Sequence, residues 1–223
     1  MRAALAILRK DLLLELRTFE TLPAMALFAV TVFVVFHFAL NVATLSGQLA
    51  AGVFTVALLF AAMLGVNRLF VAEREQGGFD AFLLAPVERS AMLLAKASAL
   101  FLFLVVLELI AVPAFTLLLL ARALVPLLSS LALVLVLANV PFAVIGTLVS
   151  AIAVQGRARD LIGPLVALPL LLPALIATAR AIGPVLAIHG AAAPPGKWLA
   201  VLALYDLVNV LVAYAVFDFL LED

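Results

Sequence analysis

The feature that most constrains this chain is a pair of long stretches without a single charged side chain. No Asp, Glu, Lys or Arg occurs from Thr21 to Asn67 or from Ala123 to Gly156. Hydrophobic residues make up 68% of the chain and charged residues 12%, about half the charged share of an ordinary soluble domain. A soluble protein of this length has no interior large enough for that apolar surface, so lipid must be its solvent. Because lipid offers backbone groups no hydrogen-bond partners, these segments are predicted to cross it as α-helices.

Six segments are long and apolar enough to span a bilayer, which takes roughly 20 residues. The predicted spans are Leu22–Asn41, Leu49–Phe70, Ser90–Leu120, Leu124–Val154, Leu161–Ala179 and Trp198–Leu221. The third and fourth are longer than a bilayer requires, and we expect them to tilt or extend beyond it, or to kink at Pro113 and Pro141. We find no internal repeat and no linker, so residues 1–223 are interpreted as one all-α transmembrane domain.

The basic residues are distributed unequally between the two sides of this arrangement. If the N-terminus is cytoplasmic, ten Lys and Arg residues fall on the inner side, and Arg122, Arg180 and Lys197 fall on the outer side. Loops rich in Lys and Arg remain in the cytoplasm, so both termini are predicted to be inside. The formal net charge is zero, which gives no reason to expect a nucleic-acid partner.

Residues 1–20 have the pattern of an amphipathic helix that lies in the inner membrane interface. Asp11, Glu15 and Glu20 interrupt this segment, which argues against a signal peptide. An apolar stripe at helical spacing contains Leu5, Leu8, Leu12, Leu16 and Phe19. The alternative is a cytoplasmic helix that packs on the protein's own loops.

Residues 71–89, which follow the second span, are predicted to form a cytoplasmic loop with a short helix. Gly77 and Gly78 break the incoming helix, and Pro86 ends the helical turn that follows them. That turn presents the apolar side chains Phe79, Phe82 and Leu83 on one face, surrounded by the charged residues Glu73, Arg74, Glu75 and Asp80. Such a surface is typical of a segment that inserts into a groove on another protein. The alternative is a surface helix that only connects two spans.

The same loop resembles a known family. Its run Glu73-Arg74-Glu75-Gln76-Gly77, followed by Leu83-Leu84-Ala85-Pro86, is similar to the coupling loop of six-span ABC exporter permeases. Over most of its length the chain resembles the CcmB family, the permease of bacterial cytochrome c maturation. The resemblance includes Lys10-Asp11, Gly65-Val66-Asn67-Arg68 and the segment from Glu108 to Pro113. In that family the loop carries the motif Phe-x-x-Asp-x-x-Asp-Gly-Ser-Leu-Glu. Phe70 and Gly77 match this motif, whereas Glu73 and Asp80 keep the acidic charge on a side chain of different length. Three positions depart from it: Gln76, Gly78 and Phe79.

The resemblance implies a multi-pass subunit of the bacterial inner membrane that delivers heme for c-type cytochrome biogenesis. It implies four partners: a CcmA-like ATPase that binds ATP and magnesium, a CcmC-like heme-handling membrane protein, a CcmD-like small subunit and a CcmE-like heme chaperone. Heme is then the cargo, either translocated or released with its chaperone, and two permease halves are expected per complex. The residues implied to contact the ATPase are Phe70, Glu73, Arg74, Glu75, Gly77, Asp80, Phe82, Leu83 and Pro86.

The residues themselves indicate no catalytic centre. The nearest candidate for a phosphate-binding loop, from Gly190 to Lys197, has the wrong glycine spacing, and Trp198 replaces the required Ser or Thr. The chain has no cysteine, which excludes a thiol nucleophile and covalent heme attachment at a CxxCH motif. We therefore expect a non-catalytic subunit. The spans do not identify a cargo, so a permease for lipid, polysaccharide or drug, or a membrane assembly scaffold that translocates nothing, remain alternatives.

Four polar residues within the spans are costly to bury in lipid and therefore need a partner or a use. Glu108, Asn139, Asp206 and Asn209 all fall roughly 14–20 Å from the outer ends of their spans at 1.5 Å per residue. They are predicted to form one polar layer, which either lines a translocation path or joins helices by hydrogen bonds. His37, near the outer end of the first span, is a candidate heme ligand. Its alternative role is an interfacial or helix–helix hydrogen bond.

Overall fold

The computed structural model describes residues 2–40, 44–70, 89–120, 126, 128–155, 159–189 and 191–220. These residues form seven α-helices and no β-strand: α1 Arg2–Thr18, α2 Thr21–Ala39, α3 Gly47–Arg68, α4 Arg89–Phe115, α5 Leu128–Gln155, α6 Arg159–Val185 and α7 Gly196–Leu220. A π-helical segment, Thr116–Leu120, continues α4. The predicted all-helical fold is confirmed.

Helices α2 to α7 are each long and apolar enough to cross a membrane, so the six predicted spans are confirmed. The largest difference concerns α6, which continues from the predicted end at Ala179 to Val185. The prediction stopped at the charge of Arg180, whose side chain is exposed in the structure. The apolar span must end where the lipid hydrocarbon ends, but the helix itself can continue into the interface, where a long arginine side chain reaches water.

The helices differ in how much of their surface the bundle covers. Of the apolar window of α3, 72% is buried inside the protein, compared with 17% for α2 and for α7. Helix α3 packs against α2 and α6, while α5 packs against α4, α6 and α7. The bundle is therefore centred on α3 and α5, and the peripheral α2 and α7 keep most of their apolar surface for lipid or for other membrane subunits.

Glycines permit the closest approach between the central helices. A Cβ atom added to Gly146 of α5 would lie 2.6 Å from Cγ2 of Val66 and 2.9 Å from Cδ2 of Leu100. One added to Gly65 of α3 would lie 3.0 Å from Sδ of Met25. Small residues at such positions increase van der Waals contact between helices, which is the main attraction available inside lipid.

Helix α1 packs on α4 through a face that contains two acidic residues. The buried residues of α1 are Ala4, Ile7, Asp11 and Glu15, whereas Leu5, Leu16 and Phe19 of the predicted apolar stripe are exposed. Oε1 of Glu15 accepts hydrogen bonds from the backbone N–H groups of Thr21 at 2.9 Å and Leu22 at 2.7 Å. Glu15 thus satisfies two of the free N–H groups at the start of α2 and sets the angle between the two helices.

Candidate functional site

The loop predicted to contact an ATPase begins where α3 ends. Residues 71–88 lie outside the described part of the chain. The roles assigned to Glu73, Arg74, Glu75, Gly77, Asp80, Phe82, Leu83 and Pro86 therefore stay predictions. Phe70, the first residue of the predicted contact set, is described, and its side chain is buried against the bundle.

Phe70 is adjacent to a buried lysine. The side chain of Lys96, on α4, is 1% exposed, and its Nζ lies 5.0 Å from the centroid of the Phe70 ring. The same Nζ donates a hydrogen bond to the carbonyl of Leu69 at 3.0 Å and lies 3.0 Å from Oδ2 of Asp11 on α1. A buried ammonium group is tolerated only with such partners. Lys96 therefore joins α1, α4 and the end of α3 next to Phe70, the residue that precedes the loop. We call Lys96 and its three partners, Asp11, Leu69 and Phe70, the lysine node.

Two further interactions hold the end of α3. Oγ of Ser150, on α5, donates to the carbonyl of Val66 at 2.8 Å in the buried interior. On the surface, Nη1 of Arg68 lies 2.7 Å from Oε2 of Glu20, between α1 and α2. The end of α3 is therefore bonded to α4 and α5, to Asp11 of α1 through Lys96, and to Glu20 between α1 and α2. Sequence reasoning missed this role of Lys96 by counting it only as an inner-side charge; its position inside the third predicted span was the signal.

A second group of polar side chains lies within the membrane-spanning part of the bundle. Thr55 of α3, Glu108 of α4, Asn139 of α5 and Thr178 of α6 line one small cavity. Four of their atoms make no hydrogen bond to any residue that the structure describes: Oγ1 of Thr55, Oε1 of Glu108, Nδ2 of Asn139 and Oγ1 of Thr178. Asn139 is near enough to interact with the Glu108 carboxyl group. Most of the remaining lining is apolar, including Leu58, Leu104, Leu107 and Phe142.

The structure thus brings two members of the predicted polar layer together and leaves two apart. Glu108 and Asn139 share the cavity, whereas Asp206 of α7 is buried and does not line it. Both carboxyl oxygens of Asp206 lack a hydrogen-bond partner among the described residues. Nδ2 of Asn209 donates to the carbonyl of Tyr205 on its own helix at 2.7 Å. A depth estimate along a helix does not say toward which neighbour a side chain points.

Thr55 and Thr178 were not selected from the sequence. A threonine in a span usually donates its hydroxyl hydrogen to a carbonyl of the preceding turn. Thr147 does so, with its Oγ1 2.7 Å from the carbonyl oxygen of Ala143. The sequence alone offers no sign that Thr55 and Thr178 behave differently, because the difference depends on which helices surround them.

His37 connects α2 to the π-helical end of α4. Its Nδ1 lies 2.6 Å from the carbonyl oxygen of Leu118, and its ring meets the ring of Phe38 edge-on at 5.1 Å between centroids. Since a carbonyl oxygen only accepts hydrogen bonds, Nδ1 carries a hydrogen in this contact. This geometry supports the helix–helix hydrogen bond that the sequence left as one alternative.

No group of three or more His, Asp or Glu side chains capable of holding a metal ion occurs among the described residues. The described part of the chain joins α1, α3 and α4 through the lysine node and carries hydrogen-bonding groups inside the bundle.

The family model described as CcmB protein matches residues 2–219 of this chain. The six long apolar helices of the chain fit a membrane permease. No curated protein and no solved structure matches the chain. The family consists of membrane transporter subunits and not of catalytic enzymes. The resemblance found in the sequence is therefore confirmed: this multi-pass membrane protein belongs to the CcmB family, the family of heme exporter protein B.

Proposed function

We propose that this chain is the membrane subunit of an ATP-driven complex that delivers heme for c-type cytochrome biogenesis at the bacterial inner membrane. The observation that carries the proposal is the CcmB family match over residues 2–219. Because the sequence has no phosphate-binding loop, ATP and magnesium are assigned to a separate CcmA-like subunit. This chain then supplies the membrane bundle on which that subunit acts.

The loop that starts at Phe70 is the proposed contact with the ATPase. The lysine node supports this assignment, because it links the first residue of the loop to two other helices through a buried charge. Side chains held by buried charges and hydrogen bonds have few alternative positions. A push on the loop would move α1, α3 and α4 together instead of bending a free end.

The proposed orientation places both termini and the loop in the cytoplasm. Ten of the thirteen Lys and Arg residues then lie inside, as expected for inner-membrane proteins. Helix α1 supports the same arrangement, since Leu5, Leu16 and Phe19 face away from the protein. In this orientation they reach the inner lipid interface while Asp11 and Glu15 bind the bundle.

For the cargo step, we propose that ATP hydrolysis either moves heme or releases the CcmE-like chaperone, loaded with heme, from a CcmC-like subunit. A CcmD-like small subunit completes the complex. Two permease halves are proposed because two ATPase subunits close on ATP as a pair. Only 17% of the apolar window of α2 and of α7 is buried inside the bundle, so the outward surfaces of both helices leave room for such membrane contacts.

The contact with the ATPase is tested by co-purification. Asp80→Lys or Phe82→Lys places a long cation on the predicted contact surface and is expected to reduce recovery of the ATPase at least tenfold. Ala191→Lys is the matched control, because Ala191 is exposed in the predicted outer loop. Normal ATPase recovery with both loop variants, at normal levels of the membrane subunit, would contradict the proposed contact.

The cargo is tested by deletion and rescue. A strain without this chain is expected to lose holo c-type cytochromes, and plasmid-borne wild-type chain is expected to restore them. Normal c-type cytochromes in the deletion strain would favour a lipid, polysaccharide or drug permease instead.

The double variant Glu108→Gln with Asp206→Asn distinguishes a permease that changes conformation from a scaffold that translocates nothing. For a permease we expect the variant complex to assemble normally but to produce no holo c-type cytochromes. Normal production of these cytochromes by the variant would favour the scaffold.

A further inference from the structure

We propose that the cavity between α3, α4, α5 and α6 is a binding site for one water molecule held by Thr55, Glu108, Asn139 and Thr178. This inference is independent of the cargo and of the ATPase contact, because it depends only on the interior of the bundle. The consequence is that one exchangeable molecule joins four of the six spans.

The first argument is the state of the four side chains. Thr55, Glu108, Asn139 and Thr178 are 4%, 8%, 3% and 2% exposed, so bulk solvent does not reach them. Each has a polar atom without a hydrogen-bond partner among the described residues, and all four line the same cavity. Buried polar groups are almost always hydrogen-bonded in native proteins. Four unpaired atoms around one space therefore indicate a shared partner in that space.

The second argument is the size and polarity of the cavity. It has room for about one water molecule, and a cavity of that size fills when two to four polar groups surround it. A wholly apolar cavity would stay dry. Asn139 interacts with the carboxyl group of Glu108, but within the described part of the chain Nδ2 of Asn139 and Oε1 of Glu108 make no hydrogen bond of good geometry. A bridging water completes this arrangement.

The hydrogen-bonding capacity of the four groups also matches that of water. The amide of Asn139 only donates from Nδ2, the carboxyl group of Glu108 accepts at Oε1, and each threonine hydroxyl either donates or accepts. One water molecule can accept from Asn139 and Thr178 while it donates to Glu108 and Thr55. All four of its hydrogen-bonding positions are then used.

A metal cation fits the site less well. A calcium ion takes six to eight oxygen ligands, whereas the cavity offers three unpaired oxygen atoms, on Thr55, Glu108 and Thr178, and room for about one water molecule. Apart from the four polar residues, the cavity lining consists of leucine, alanine and phenylalanine side chains. Water is therefore the ligand that this set of donors and acceptors selects.

The water has a consequence for movement inside the bundle. When helices shift, a direct hydrogen bond between two side chains must lengthen or break, and each freed polar group is costly in a low-dielectric interior. A water molecule can rotate and change partners, so the four groups remain paired over small displacements. The cavity is thus a place where α3 to α6 can move relative to each other at low cost.

Threonine-selective solid-state NMR on the full chain in lipid bilayers tests the site, because buried threonines provide an internal comparison. Magnetisation that starts on water is expected to reach Thr55 and Thr178 several-fold faster than Thr147, which is fully buried and bonded to the carbonyl of Ala143. Equal transfer rates at all three residues would show a dry cavity and overturn the proposal. A shift of the Thr55 and Thr178 signals on exchange of potassium for sodium would identify a cation and also overturn it.

A variant assigns the signal to the cavity. Asn139→Leu removes one donor and adds apolar surface, and transfer to Thr55 and Thr178 is expected to fall to the level of Thr147. Ser150→Ala is the matched control, because it removes a buried hydrogen bond to Val66 elsewhere on α5 and is expected to change neither signal. If Asn139→Leu does not fold, Thr178→Val is measured through Thr55 alone. Undiminished transfer in the folded variant would contradict the site.

Discussion

Lys96 on α4 and Asp11 on α1 form an ion pair, with 3.0 Å between Nζ and Oδ2, although both residues are almost completely buried. Burial removes water from both charges, and their attraction only partly compensates for that loss. Such a pair contributes little net stability, but removal of one partner leaves the other charge with less compensation: Asp11 keeps Lys10, whose Nζ lies 3.1 Å from its Oδ1, and Lys96 keeps the carbonyl of Leu69. Its main effect is to fix where α1 sits against α4 and the end of α3.

The first prediction concerns this pair. Asp11→Leu is expected to lower the free energy of unfolding by about 3–5 kcal/mol, the usual effect of removing one member of a buried pair, since Lys96 then loses its carboxylate. Lys96→Met should have a smaller effect, because Asp11 keeps Lys10 at 3.1 Å. The double variant should lose clearly less than the sum, because neither charge remains. Unfolding in bicelles, measured for all four members of the cycle, gives the interaction energy.

An exposed pair in the same region provides the control for that cycle. Arg68 and Glu20 are closer, at 2.7 Å, but both side chains are substantially exposed to solvent. Arg68→Met and Glu20→Gln are therefore expected to change the free energy of unfolding by no more than about 1 kcal/mol each. Strictly additive effects of the Lys96 and Asp11 substitutions would contradict the described role of the lysine node.

The second prediction concerns the close approach of α5 to α3 and α4. Gly146→Ala places a methyl group 2.6 Å from Cγ2 of Val66 and is expected to lower the free energy of unfolding by about 1–3 kcal/mol through overpacking. Gly52→Ala is the control, since its added Cβ meets no atom within 4 Å. Val66→Ala in the Gly146→Ala background should restore part of the loss. A Gly146→Ala protein as stable as Gly52→Ala would refute this contact.

The third prediction concerns His37. His37→Ala removes the hydrogen bond from Nδ1 to the carbonyl of Leu118, for which we expect a loss of about 0.6 kcal/mol, the average for such bonds in membrane helices. His37→Asn keeps a donor near the position of Nδ1 and should lose less. Holo c-type cytochrome levels are expected to stay normal in both. Loss of these cytochromes in both variants, at unchanged stability, would instead identify Nε2 as a heme ligand.

The number and position of the spans could be predicted because a charged side chain has the highest free-energy cost of any residue in the lipid hydrocarbon. Segments free of charge from Thr21 to Asn67 and from Ala123 to Gly156 leave few other arrangements. Charge was less informative about helix ends, as the exposed Arg180 within α6 shows. It gave no sign that the bundle buries Lys96 with Asp11 instead of leaving its side chain exposed to solvent.

The candidate sites were predictable only in part. Depth along a helix follows from residue number, which correctly placed Glu108 and Asn139 near each other. Direction around the helix depends on the packing of all its neighbours, so Asp206 was expected in the same group and lies outside the cavity. The partners Thr55 and Thr178 depend on the same packing, and no local pattern of residues distinguishes them from Thr147.

The last prediction concerns orientation and uses the absence of cysteine from the chain. A single cysteine at Glu75, in the loop, and another at Ala191, between α6 and α7, report the two sides separately. In intact spheroplasts a membrane-impermeant maleimide is expected to label Ala191→Cys and not Glu75→Cys, with the reverse in inverted vesicles, because Lys and Arg are concentrated on the loop side. Ala57→Cys, buried in α3, should remain unlabelled in both. The opposite pattern would put the loop outside the cytoplasm, where a cytoplasmic ATPase has no access to it.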